Sequence, residues 1–226
     1  MLPYPSETGE RTNTNRFCSK MKLLTLLTAL DAEGDAKIFT SCRRLVLSAV
    51  KFNLDSDVIV IHNSKNSMFA HGLERFAEFN PLTPILTCEL VETYGQRIRP
   101  SLLSKIDTKG YDKVMVLDVD SILLRPLNFD KLDNPYLYSS VTPHPSYEDG
   151  KHDSSHFPAF LFTPSFIFCP AGDFSTLMAG WRYQLDLQEE QGALRPDVLG
   201  WHETVVGRTE TKKVSPDVFA NGFSRR

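Results

Sequence analysis

Apolar segments alternating with helical or polar ones over residues 22–188 predict an α/β fold with a mostly parallel central sheet flanked by helices. Three observations carry that prediction. The segments LLTLLT, DVIVIHN, PILTCEL and KVMVL have apolar cores little broken by polar residues, as strands buried on both faces do. The stretch between the first two places Leu45, Val46, Ala49, Val50 and Phe52 on a helical stripe. Helical segments over 68–79 and 100–109 then separate the second strand from the third and the third from the fourth, so strands and helices alternate.

In chain order, residues 1–20 are rich in Thr, Asn, Ser, Pro and Glu and predict a mobile tail. Residues 21–226 then form one domain. Residues 23–28 predict the first strand, and DAEGD a polar loop after it. A helix follows over 38–52, a strand over 57–63, and a helix over 68–79 that Pro81 stops. PILTCEL is the third strand. Residues 100–109 predict a short helix with Gly110 as its C-cap, and residues 113–118 the fourth strand. YLYSSVT and AFLFTPSFIFCP are strand-like, with the polar YEDGKHDSSH between them. Asp173 is placed to cap an amphipathic helix to about Gln188, with Phe174, Leu177, Met178, Trp181 and Leu185 on one face. Beyond Gly192 the periodic signals thin out.

The segment MKLLTLLTALDA has the look of a secretory signal, but twenty mostly polar residues precede it and two threonines interrupt its apolar core. It is read as the first buried strand. The four cysteines never form a C-x-x-C pair, so they are expected as free thiols in a reducing, cytoplasmic setting; a secretory route would require Met21 as the start. A net charge of −3 with scattered basic pairs gives no nucleic-acid-binding face. No apolar stretch is long enough to span a bilayer as a helix.

YDKVMVLDVDSILLRPL is the segment that points to chemistry. Its apolar strand ends in Asp118, and Asp120 follows after Val119. Ligands of open α/β sheets collect beyond the carboxyl ends of the strands. Two carboxylates there repel one another, and a divalent cation with hard oxygen ligands relieves the conflict. Lys113 and Arg125 are the nearest cations along the chain. Val119 is expected to point away and pack. HPSYEDGKHDSSH brings His144, His152 and His156 close to Asp149 and Asp153, but at no tetrahedral metal spacing, and is read as a flexible acceptor-side loop.

The same segment, extended to YDKVMVLDVDSILLRPLNFDKL, resembles the D-x-D segment of nucleotide-sugar glycosyltransferases of the GT-A fold, most of all the glycogenin-like family. A weaker similarity runs from about Lys22 to Gln188. The resemblance implies a Rossmann-like GT-A domain with a smaller acceptor-side region. It implies a metal-dependent transferase that moves a sugar from a nucleotide-diphosphate sugar, UDP-sugar above all, to a hydroxyl of a glycan, glycoside or protein. Asp118 and Asp120 would hold Mn²⁺ or Mg²⁺ against the diphosphate, with Asp118 also touching the ribose. Thr28, Leu30 and Asp31 would line the base and ribose pocket beside Val119. Lys105, or else Arg99, would take the place of the family's basic residue facing phosphates or sugar.

Three departures from the family pattern are visible. Thr163, Pro164 and Ser165 stand where Asn-Ser-Gly or Asn-Ala-Gly is expected, leaving Ser165 as the hydrogen-bonding candidate. GWHETVV stands about where the family has Gly-Asp-Gln, and the family's late His-Phe-x-Gly segment is absent. His202 is the substitute candidate for a third metal ligand. Glu203 first, and Asp153 second, are the candidates for the base that an inverting transfer needs. Competing expectations are a haloacid dehalogenase-type phosphatase with Asp118 as nucleophile and Asp120 as acid, a sugar-1-phosphate nucleotidyltransferase, and a relative that binds nucleotide sugar without turnover.

Overall fold

The computed structural model describes residues 21–29, 36–51, 56–62, 75, 85–88, 99–119, 121–124, 135–143, 160–193, 195–214 and 219–221. In chain order the elements are β1 (Leu23–Ala29), α1 (Ala36–Lys51), β2 (Ser56–His62), β3 (Ile85–Cys88), α2 (Arg99–Leu103), β4 (Lys113–Asp118), β5 (Ser121–Leu123), β6 (Leu137–Pro143), β7 (Phe160–Pro170), α3 (Ala171–Glu190), α4 (Pro196–Val205), β8 (Thr211–Lys213) and β9 (Phe219–Asn221). The main sheet has seven strands in the order β3-β2-β1-β4-β7-β6-β8. The β1–β2, β2–β3, β1–β4 and β6–β8 pairs are parallel, and β7 runs against both of its neighbours. The expected α/β fold with a mostly parallel sheet is therefore present, with β7 the one reversed strand of that sheet.

The apolar strands form because both of their faces are covered. Leu23, Leu27, Met115 and Leu117 pack with Cys42 and Leu45 of α1 on one side. Leu24, Leu26, Val114 and Val116 pack on the other with Leu103 of α2, Phe174, Leu177, Met178, Trp181 and Leu185 of α3, and Trp201 of α4. The leucine-rich stretch that has the look of a signal peptide is the central strand β1, buried along its whole length. Cys42 and Cys169 are free, and burial pushes both thiols up to about 12, which keeps them protonated and unreactive at neutral pH.

Four expectations are corrected. The helix predicted over 100–109 spans only Arg99–Leu103 and then tightens into turns, with Lys105 N–H donating to Leu102 O and Ile106 N–H to Leu103 O. Gly110 adopts φ 89° in the turn that leads into β4 instead of capping that helix. The long helix begins at Ala171, so Asp173 lies in its first turn, where a negative charge still complements the helix dipole, and Pro170 holds the N-cap position. The region after Gly192, where periodicity fades, contains α4, opened by Pro196 at its first turn, together with β8 and β9. The tail over 1–20 and all but Arg75 of the helix over 68–79 lie outside the described residues.

α3 and α4 meet at Gly200, where an added Cβ would stand 2.7 Å from the backbone N of Leu185 and 2.8 Å from its Cα. Backbone cannot yield as a side chain can, so Gly200→Ala is expected to destabilise the fold by about 1–3 kcal/mol. Gly180→Ala, whose Cβ would meet only the Thr204 methyl at 3.3 Å, should cost less, because Ala also gains up to about 1 kcal/mol in helix propensity. Urea denaturation of the two variants checks the order, and equal midpoints would refute the close-contact account.

Candidate functional site

The order 3-2-1-4 places a topological switch point between β1 and β4: the chain leaves β1 toward one edge and builds β4 on its other side. The carboxyl ends of both strands therefore lie side by side at the opening where ligands of open α/β sheets collect. Thr28 of β1 and Asp118 of β4 are register partners at that opening. Side chains alternate along a strand, so these even-numbered residues share the face of Leu24, Leu26, Val114 and Val116, the one under α2, α3 and α4.

Asp118 does not stand there as a bare charge. The Thr28 hydroxyl donates to its Oδ1 at 3.1 Å, and Arg99 Nη1 lies 2.5 Å from the same oxygen. Arg99, the first residue of α2, is 2% exposed. Its Nη2 donates to the Pro164 carbonyl at 2.9 Å, and its guanidinium carbon lies 5.6 Å from the centre of the Trp181 ring. Arg99 Nε is buried with no acceptor among the described residues. Asp118 keeps 23% side-chain exposure, and Oδ2 has no hydrogen-bond partner among the described residues. Among the described residues, one carboxylate oxygen is thus occupied and the other carries no hydrogen bond.

β7 shapes this corner. Ser139 pairs with Ile167, but its successor Ser140 pairs with Thr163, so β7 carries extra residues at this point. A bulge of this kind is where a strand tolerates proline, whose missing N–H takes no ladder bond. The bulge is tied down by hydroxyls. Ser139 Oγ donates to the Thr163 carbonyl at 2.9 Å, Ser140 Oγ lies 2.7 Å from Thr163 Oγ1, and Phe166 N–H donates to Ser140 Oγ at 3.1 Å. Trp201 Nε1 donates to Ser139 Oγ at 3.0 Å, and the Trp201 and Trp181 rings meet edge to face at 5.3 Å. The Thr163, Pro164 and Ser165 triplet that departs from the family pattern is the segment that presents the carbonyl holding Arg99.

The structure brings together Thr28, Asp118 and Val119. Val119 N–H donates to Thr28 O at 3.2 Å, and its side chain packs on the α1 face of the core. Ser165 precedes Phe166, the partner of Leu117 in the last ladder pair, and is buried in the β7 bulge. Lys105 is not brought there. It is exposed on the turn after α2, three residues before Thr108, whose hydroxyl donates to Ala171 O at the amino end of β4. Arg99 takes the place beside the acid. Lys113 begins β4 and so stands about 16 Å from Asp118 at ~3.3 Å per residue.

His202 is buried on α4, where its Nδ1 accepts from Phe162 N–H at 3.1 Å and its ring stacks on Phe162. An Nδ1 that accepts puts the proton of a neutral ring on Nε2. Phe162 lies three residues up β7 from Ser165, about 10 Å away along the strand, so His202 is not brought to Asp118. Glu203 is exposed, on the side of α4 opposite the buried Trp201 and His202. Leu30, Asp31, Asp120, Asp153 and Arg125 lie outside the described residues, as do His144, Asp149, His152 and His156. Among the described residues no three His, Cys, Asp or Glu side chains group as a metal centre. No family model and no curated protein matches the chain.

The pair of Arg99 and Asp118 is a stability element as well as a site element. Removing one partner of a buried pair strands the other, at a cost of about 3–5 kcal/mol, with the lower end fitting a carboxylate that keeps some solvent. Arg99→Met should therefore lower stability by about 3 kcal/mol, and Asp118→Asn in that background should recover part of the loss. A double-mutant cycle by urea denaturation measures the coupling, and additive losses would show that the two charges do not support each other.

Proposed function

We propose that the chain is a glycosyltransferase of the GT-A type that takes a sugar from a nucleotide-diphosphate sugar, with UDP-sugar the first choice, and passes it to a hydroxyl acceptor. The observation that carries this reading is the place of Asp118. A D-x-D acid stands at the carboxyl end of β4, at the switch point with β1, hydrogen-bonded by the Thr28 hydroxyl and paired with a buried arginine. Open α/β sheets bind nucleotides at such crevices, and the D-x-D resemblance says which nucleotide chemistry to test.

A dication fits the donor set in part. Oδ2 of Asp118 is a hard oxygen open to the crevice, and Asp120 would supply the second carboxylate of the D-x-D pair. A bound Mn²⁺ or Mg²⁺ supplies charge stabilisation for the departing diphosphate. This chain's own residues do the rest. Thr28 and Arg99 fix the rotamer of Asp118, so that Oδ2 faces the ligand at no further ordering cost. Val119, packed behind the strand end, keeps the D-x-D turn on the sheet. Ser165, next to the Leu117–Phe166 pair along β7, is the candidate donor or acceptor for a sugar hydroxyl. If the anomeric centre inverts, a carboxylate must take the acceptor proton. Glu203 faces away on α4, which makes Asp153 the acid to test for that role.

The test is a thermal-shift panel of nucleotide-diphosphate sugars with and without Mn²⁺. Stabilisation that needs both UDP-sugar and metal is expected for the wild type, by about 3 kcal/mol at a hundredfold excess over Kd. Asp120→Ala and Asp118→Asn should each abolish it. Stabilisation by phosphomonoesters alone would favour the phosphatase, and binding of UDP-sugar without turnover on any acceptor would favour a non-catalytic binder.

A further inference from the structure

We propose that the outer surface of α1 and β5 is a docking face for an anionic lipid bilayer. Three of the seven large apolar side chains that stand exposed among the described residues meet there: Leu47 at 43%, Ile122 at 39% and Leu124 at 43%. Leu123 N–H donates to the Ser48 hydroxyl at 3.2 Å, so Leu47 and the two β5 residues flank a single α1–β5 contact. Leu123 itself turns inward and packs with Cys42 and Leu45, which leaves Ile122 and Leu124 on the outer side of the strand. Single exposed leucines are ordinary on a protein surface, but three on one face are not scattered.

The charges around them have one sign. α1 contains four basic residues and no Asp or Glu, and β5 and β9 contain no charged residue, in a chain whose net charge is −3. Arg43, Arg44, Leu47 and Lys51 are exposed and recur at helical spacing, so the arginines lie one turn before Leu47 and Lys51 one turn after it on the same face. Neither arginine has an ion pair among the described residues. Aliphatic side chains set between cations suit the headgroup region of a bilayer, where the apolar tips enter the acyl boundary and the cations meet lipid anions.

The arrangement favours a bilayer over a protein. An amphipathic peptide lays its apolar face in a groove, whereas these apolar side chains stand on the outside of a helix and a two-stranded ribbon. A second copy of the chain would set the same cations against each other. The face lies on the α1 side of the main sheet, opposite α2, α3 and α4, so its use does not depend on what the β1–β4 opening binds.

The experiment sediments the full chain with vesicles of phosphatidylcholine alone and of phosphatidylcholine with about one-third phosphatidylserine, at low and at physiological salt. The wild type should partition onto the phosphatidylserine vesicles at least about tenfold more strongly, and less so as salt rises. At roughly fivefold per cation near the surface, Arg43→Gln with Arg44→Gln should weaken that binding about 25-fold. Arg43→Lys with Arg44→Lys should retain most of it, because a lipid surface reads charge and not guanidinium geometry. Leu47→Gln with Leu124→Gln should weaken binding several-fold and leave its salt dependence in place. Arg182→Gln, which removes an exposed cation from α3, should leave binding unchanged. Equal partition onto the two vesicle types would overturn the proposal, as would undiminished binding by the folded double glutamine variant or an equal loss in Arg182→Gln. Should the double glutamine variant lose its far-UV spectrum, Arg44→Gln alone decides, with a loss of about fivefold for the proposal and no loss against it. Binding to polyglutamate without binding to phosphatidylserine vesicles would overturn it in favour of an acidic protein partner.

Discussion

A negative charge at the end of a buried strand has to be answered, and in this protein the answer is Arg99. Taking Asp118 and Arg99 out of water costs several kcal/mol for each ion, which is recovered only where geometry is good and hydrogen bonds complete the shell. Much of the surrounding architecture serves that requirement. α2 begins at Arg99, so that the guanidinium enters from the helical face. The β7 bulge turns the Pro164 carbonyl toward Nη2, and a set of serine and threonine hydroxyls holds the bulge in place. Trp181 lies against the guanidinium, and Trp201 anchors Trp181 to the sheet through Ser139. Five elements, β4, β7, α2, α3 and α4, are thereby coupled to one carboxylate.

The position of that carboxylate was legible from the chain itself; Arg99 entered only through the resemblance, second to Lys105, and as a contact for phosphates or sugar and not for the acid. An apolar run of four residues ending in an acid identifies a strand and its exit, and parallel-sheet topology says which end matters. Both inferences are local. Arg99 lies nineteen residues before Asp118 and reaches it only because α2 stops at Leu103 and packs across β4. Lys105, which the resemblance put first, is exposed on the turn after α2. The buried stripe on α3 was equally plain, because Phe174, Leu177, Met178, Trp181 and Leu185 recur at helical spacing. α4 was missed although Pro196 marks its start. Its ten residues include Gly200, and its burial is dictated by contact with α3 and β7 more than by its own periodicity.

The same geometry reframes the D-x-D pair. From sequence Asp118 is a metal ligand candidate beside Asp120; in the structure its Oδ1 is paired with Arg99 and hydrogen-bonded by Thr28, so that acid is neutralised and oriented. His202, from sequence a candidate third ligand, spends its Nδ1 on the backbone of Phe162 and contributes to the join of α4 with β7.

The most direct measurement is anomalous scattering at the manganese edge from crystals of the full chain grown with Mn²⁺ and UDP. The account predicts one strong peak at the β1–β4 switch point, about 2 Å from Asp118 Oδ2 and from the Asp120 carboxylate, with Arg99 still on Oδ1 and the diphosphate completing the shell. A peak elsewhere on the surface, or UDP bound in that crevice with Asp118 turned away from metal and nucleotide alike, would contradict it.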